Sequence, residues 1–187
     1  MLTNSPKTAQ ASSSLWTDLA LMAFLIGFGM ATRLLPHAPG FLPVAASALF
    51  AGRMLRMPVL ALIVPVAAMA ISGLVLGFED WRVLLVVYAA LTLPAIAGIL
   101  TRRWSGILTT AGLMLACSLA FFVLSNLAVW AFSGMYSLDL AGLTQCYVAA
   151  LPFLQYTVAG DLFWSAVLFG GAWMLQNGAL LAGRTQH

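Results

Sequence analysis

The chain has 187 residues, of which 63% are hydrophobic and only 7% charged, with a mean hydropathy of +1.01. A water-soluble domain carries about 25% charged residues, so a soluble fold is excluded and lipid is the solvent for most of the surface. The net charge of +3, from eight Lys/Arg against five Asp/Glu, follows the placement of the arginines and gives no reason to expect nucleic acid as a partner.

The first stretch, MLTNSPKTAQASSS, reads as a polar tail over residues 1–14. Its one lysine does not directly precede a short apolar core, so it lacks the form of a cleaved signal peptide. Ser14 is placed to cap the helix that follows. Beyond it the few charges punctuate continuous apolar runs, which lack the alternation of lipid-facing strands and therefore predict helices rather than a barrel. A crossing needs about 20 residues, and spans are predicted at 15–35, 40–54, 57–78, 83–101, 106–131 and 158–182. The expected fold class is all-α: a polytopic membrane bundle of about six transmembrane helices, one domain over 15–183, with a short tail at 184–187.

Two segments fit this scheme badly. RLLPHAPGFLPVAASALFAGR, Arg33 to Arg53, holds three prolines, and its apolar part is too short to cross unless it starts near Pro36. Leu140–Gly160 is broken by Pro152 and is more polar than its neighbours, with Thr144, Gln145, Tyr147 and Gln155. A short interfacial or re-entrant helix near 140–156 is the expectation there. Six spans with a cytoplasmic N-terminus put Lys7, Arg53, Arg56, Arg102, Arg103 and Arg184 inside, as the positive-inside tendency requires. Both termini are then cytoplasmic. A seventh span over 140–160 would move Arg184 outside.

Familiar chemistries are missing from the pattern. There is no Gly-rich phosphate loop and no nucleophile elbow, and Cys117 and Cys146 lack metal-ligand spacing. The expectation is therefore a protein that is not an enzyme, with no metal and no cofactor. Polar residues near membrane depth are costly and often functional. On the predicted topology Arg33, His37, Trp81, Asn126, Trp130, Tyr136 and Asp161 gather towards the outer face and form the candidate substrate-binding set. Each has a structural alternative. Trp81 and Trp130 suit an interfacial belt, Asp161 suits a helix first turn or a pair with Arg33, and Asn126 suits an interhelical hydrogen bond. Ala23, Gly27 and Ala31 recur every four residues on the first helix, either for packing inside the bundle or for docking a partner subunit.

The blocks RLLPHAPGFLPVAASALFAG, ISGLVLGF and SNLAVWAFSGMYSLDLAGLTQCYVAALPFLQYTVAGDLFWSAVLFG cover most of residues 33–170. They resemble a family of uncharacterised bacterial membrane proteins described as transport proteins, similar to the substrate-binding S components of energy-coupling factor (ECF) transporters. Gly40 and Ser72-Gly73 depart from the pattern, since relatives carry Asn at the first place and Ser-Asp at the second. The resemblance implies an S-component-like bundle in the bacterial inner membrane. It also implies a vitamin- or micronutrient-like ligand bound on the outer side, a transmembrane coupling subunit and paired ATPases. The expected function is thus the substrate-binding membrane subunit of a small-molecule uptake transporter. An accessory or assembly subunit with no ligand of its own is the alternative.

Overall fold

The computed structural model describes residues 6–36, 38–77, 80–104 and 106–184, with side chains described between Ser14 and Asn177. Among the described residues every regular element is helical: α1 (Pro6–Leu34), α2 (Val44–Met54), α3 (Pro58–Leu76), α4 (Trp81–Leu100), α5 (Ile107–Phe132) and α6 (Leu140–Arg184). Five of them contain stretches long and apolar enough to cross a membrane, as a multi-pass membrane protein requires. The ends of α3, α4 and α5 fall within two residues of the predicted spans. In α1 the apolar part is Ser14–Leu34, and the helix itself begins at Pro6.

The second span is shorter than predicted. α2 has 11 residues, about 16 Å at 1.5 Å per residue, against a hydrocarbon core of about 30 Å. It is nevertheless the centre of the bundle. It touches every other helix, and Val44 and Ala46 through Gly52 are all buried. The described chain before it, 35–36 and 38–43, is not helical. Such backbone is tolerated in a membrane protein only where its polar groups are satisfied or enclosed. Here Leu35, Phe41 and Leu42 donate to Ala31, Ala38 and Gly40 carbonyls, and Pro36, Pro39 and Pro43 have no N–H to satisfy. The segment is pressed onto α6. A Cβ on Gly40 would meet Thr157 Oγ1 at 2.5 Å, and one on Gly160 would meet Phe41 Cα at 2.8 Å. Gly40 also has φ +82°, a conformation open to glycine. Phe41 then stacks among Phe163 and Trp164, with ring centroids at 5.5 and 6.1 Å.

Small residues set the closest approach. Gly52 on α2 faces Gly98 on α4, and a Cβ on either would overlap a carbonyl oxygen of the other helix, Ala95 or Leu49. Lipid offers no hydrophobic drive for helix association, so van der Waals contact of this kind holds such a bundle together. At the same end Arg102 caps α2: Nε donates to the Gly52 carbonyl at 2.8 Å and an Nη to Leu55 at 2.6 Å. A cation on a helix C-terminus also meets the negative end of its dipole. The buried Asp18 carboxylate accepts from the Arg56 backbone N–H at 3.1 Å and ties α1 to the same end.

The expectation of a separate interfacial or re-entrant helix near 140–156 is corrected. Leu140–Gly160 is the first part of α6, a continuous helix of 45 residues, about 67 Å long if straight. Pro152 lies inside it without ending it. Proline removes one donor and frees one carbonyl, whereas leaving the helix in lipid would strand many more backbone groups. Two side-chain hydrogen bonds fasten α6 to α5 on either side of Pro152. Tyr147 Oη donates to Val123 O, and Asp161 accepts from Ser118 Oγ. Between those contacts the helices leave a gap along their seam, lined from α6 by Ala150, Phe153, Leu154 and Thr157.

Candidate functional site

The α5–α6 seam holds room at two places. Next to Pro152 a cavity of about 150 Å³ is lined by Phe121, Phe122, Asn126, Phe153 and Thr157, among others. Further along, towards the end of the bundle that carries Arg53, Arg56 and Arg102, a cavity of about 640 Å³ lies between Ile107–Ala111 of α5 and Leu162–Trp173 of α6. The second falls within the 300–1,000 Å³ typical of small-molecule sites. Between the two, Ser118 Oγ donates to Asp161 Oδ2 at 2.6 Å, and both residues are almost fully buried.

Arg53 reaches the larger cavity from the last turn of α2. Its guanidinium donates to the hydroxyls of Thr110 and Thr101 and lies 5.3 Å from the Phe169 ring centre. No carboxylate pairs with it among the described residues, and its Nε is buried without a partner. Ser165, 4% exposed, also lines the cavity with an unpartnered hydroxyl. Buried polar groups are nearly always hydrogen-bonded, and of the unpartnered ones among the described residues these two stand beside the larger cavity. The remaining wall, with Ile107, Leu162 and Trp173, is apolar.

The predicted outer residues are not gathered around one cavity. Arg33 donates to Met69 Sδ on α3, and no ion pair joins it to Asp161 among the described residues. His37 lies outside the described residues, as does Glu79. Trp81 is 68% exposed, with the Arg82 guanidinium 5.7 Å from its ring. Asn126 lines the smaller cavity while its amide donates to the Phe122 carbonyl of its own helix at 2.8 Å. Trp130 Nε1 donates to Ser137 O at 2.9 Å and fastens the α5–α6 loop in which Tyr136 sits half-buried. Of the set, Asn126 and Asp161 come to the α5–α6 seam. Ala23, Gly27 and Ala31 face outward, and a Cβ on Gly27 would meet nothing within 4 Å. Contacts within this chain therefore do not use that stripe, and α1 packs instead through Leu25 and Gly29.

Sequence reasoning passed over Arg53, Thr110, Ser165 and Trp173. Arg53 served as a topological marker, and the signal that it does more is its position inside an otherwise apolar helix. Among the described residues no group of three metal-ligating side chains comes together. A model of a protein family described as a family of unknown function (DUF6580) matches residues 13–182. No curated protein and no solved structure matches the chain.

Proposed function

We propose that this chain, which belongs to the family of unknown function DUF6580, is the substrate-binding membrane subunit of a small-molecule transporter. It takes its ligand along the α5–α6 seam without covalent chemistry. One observation carries the reading: two cavities lie on the same seam, displaced towards opposite ends of the bundle, with the buried Asp161–Ser118 hydrogen bond between them. Ionisable side chains that face the interior of a membrane bundle are the usual markers of a substrate or ion path. With the arginine-rich end in the cytoplasm, the larger cavity is the inward one and the Asn126 cavity the outward one. Passage would then require the Asp161–Ser118 contact to open.

An ECF-type coupling subunit with its ATPases stays within this proposal, and the outward stripe of Ala23, Gly27 and Ala31 is the surface it would use. The same open stripe favours the second reading, an accessory subunit with no ligand of its own. The deciding experiment is native mass spectrometry of the protein purified in mild detergent from its own host. A stoichiometric small-molecule adduct is expected, and it is lost in Gly170→Leu. Gly170 lines the larger cavity, and a Cβ added there would meet nothing within 4 Å, so a longer side chain fills the cavity without pressing on the surrounding helices. Bare protein in both forms, or a second membrane polypeptide in place of the adduct, would establish the accessory reading instead.

A further inference from the structure

We infer that the larger α5–α6 cavity binds an anionic amphiphile, with its charged head at Arg53 and its apolar chain against Ile107, Leu162, Phe169 and Trp173. The inference rests on the transporter reading and names the ligand class for that site. Arg53 is a cation without a carboxylate partner among the described residues, beside two hydroxyls that hydrogen-bond but cannot neutralise it. Arginine cannot discharge itself by losing a proton, so the partly buried guanidinium favours an anion. The Arg53 Nε and the Ser165 hydroxyl have no partner but are shut off from the open cavity surface, so each reaches a ligand only by turning its side chain, with Ser165 one helical turn deeper than Phe169. Every other wall is apolar or aromatic, which a small hydrophilic anion would gain nothing from filling.

Asp161 does not oppose this placement. Its carboxylate is turned to Ser118 on α5. It also stands eight residues along α6 from Phe169, the ring that marks the Arg53 end, a separation of about 12 Å. The opening between two helices gives an acyl chain a way in from the surrounding lipid, and the position near the arginine-rich end brings a charged head to headgroup depth.

The test uses the intact protein in mild detergent. It is titrated with a chain-brominated fatty acid, with brominated phosphatidylglycerol and with brominated phosphatidylcholine. Binding is read as quenching of Trp173, taken as the difference from Trp173→Phe. At least one anionic probe is expected to quench saturably and phosphatidylcholine not to, and the probe that quenches tells a free acid from a bilayer lipid. Arg53→Gln should weaken binding about tenfold or more, the scale of one charge-assisted hydrogen bond. Ser165→Ala should weaken it about three- to tenfold, as for a neutral hydrogen bond. Ser165→Ala removes an unpartnered hydroxyl and so keeps the fold, which covers the case in which loss of Arg53 also loosens Thr101 and Thr110. Equal quenching by phosphatidylcholine, or unchanged affinity in Ser165→Ala and Gly170→Leu together, would overturn the inference. If no brominated probe quenches while the native adduct persists and still depends on Gly170, the ligand class falls and the transporter reading stands. If there is no adduct either, both fall.

Discussion

The α2–α4 and α5–α6 pairs are built from similar apolar helices and end differently. Between α2 and α4 two glycines stand face to face, and the backbones approach until no further carbon would fit. Along α5–α6 the glycines do not serve this purpose. Gly112 and Gly170 have nothing within 4 Å of a Cβ position, and the pair meets through larger side chains, the Ser118–Asp161 and Cys146–Asn126 hydrogen bonds and the Phe122–Tyr147 ring contact among them, with space at two places. In lipid, helices that lack small residues at matching positions gain little by closing further. The first pair is a rigid centre and the second a seam able to hold something.

The sharpest way to break this contrast is to add carbon to both pairs. Gly52→Val or Gly98→Val should cost about 1–3 kcal/mol or more, as overpacking against fixed backbone does, and much of the protein should fail to fold. Gly112→Ala should instead be neutral or stabilising by about 0.5–1 kcal/mol, since helix-interior glycine is unfavourable. Thermal unfolding in detergent reads both, and equal effects would erase the distinction. Arg102→Ala comes next, because it removes the cap on α2. Its bonds to carbonyls are charge-assisted, but Arg102 is exposed, so solvent screening brings the expected loss to about 1 kcal/mol. Lysine should not rescue it, lacking the planar fork that spans several carbonyls.

Asp161 tests the seam itself. Asp161→Asn keeps an acceptor for Ser118 and replaces a buried ionisable group with a neutral one, so stability should hold or rise, while Asp161→Ala should join the two cavities. The native Cys117, 8% exposed and adjacent to Ser118, is the probe. In a Cys146→Ala background its reaction with a thiol reagent should accelerate in Asp161→Ala and not in Asp161→Asn. Unchanged protection in both would show that this contact separates nothing.

The smallest effect belongs to the α5–α6 loop. The Asp139 carboxylate accepts from the Gly142 N–H at 2.7 Å and from the Ser137 hydroxyl at 2.9 Å, which together hold its carboxyl below the usual range. A lowered folded-state value means that this contribution is present above the unfolded value, about 3.9, and fades as pH falls through the folded one. Asp139→Asn should flatten that acid limb of a pH–stability curve slightly and leave behaviour near neutral pH almost unchanged.

The long spans were legible because continuous apolar runs between charges leave little choice but helix. The unusual parts were not, for reasons specific to each. Pro152 reads as a break in sequence, yet within lipid the backbone keeps its helix. Arg53 and Arg102 look alike as topological charges, and their separate tasks at a cavity and at a helix end depend on which neighbours α2 brings to them. Asn126 and Asp161 stood out as polar residues, but they were expected towards the outer face, with Asp161 suited to a helix first turn, and Asp161 lies well inside α6. That they share a seam, while Arg33 and Trp81 go elsewhere, depends on a helix register that a single chain does not spell out.

The brevity of α2 has a consequence for how the protein is made. An 11-residue helix is too short to be recognised and inserted as a crossing by itself. Three of its partners, α4, α5 and α6, are synthesised well after it. The nascent chain must therefore shelter α2 beside α1 and α3 while the later helices arrive, and the last of the walls, α6, closes around a segment already in place. Truncation before α6 would thus leave the central helix exposed to lipid and to membrane quality control, even though every residue of that helix has been translated.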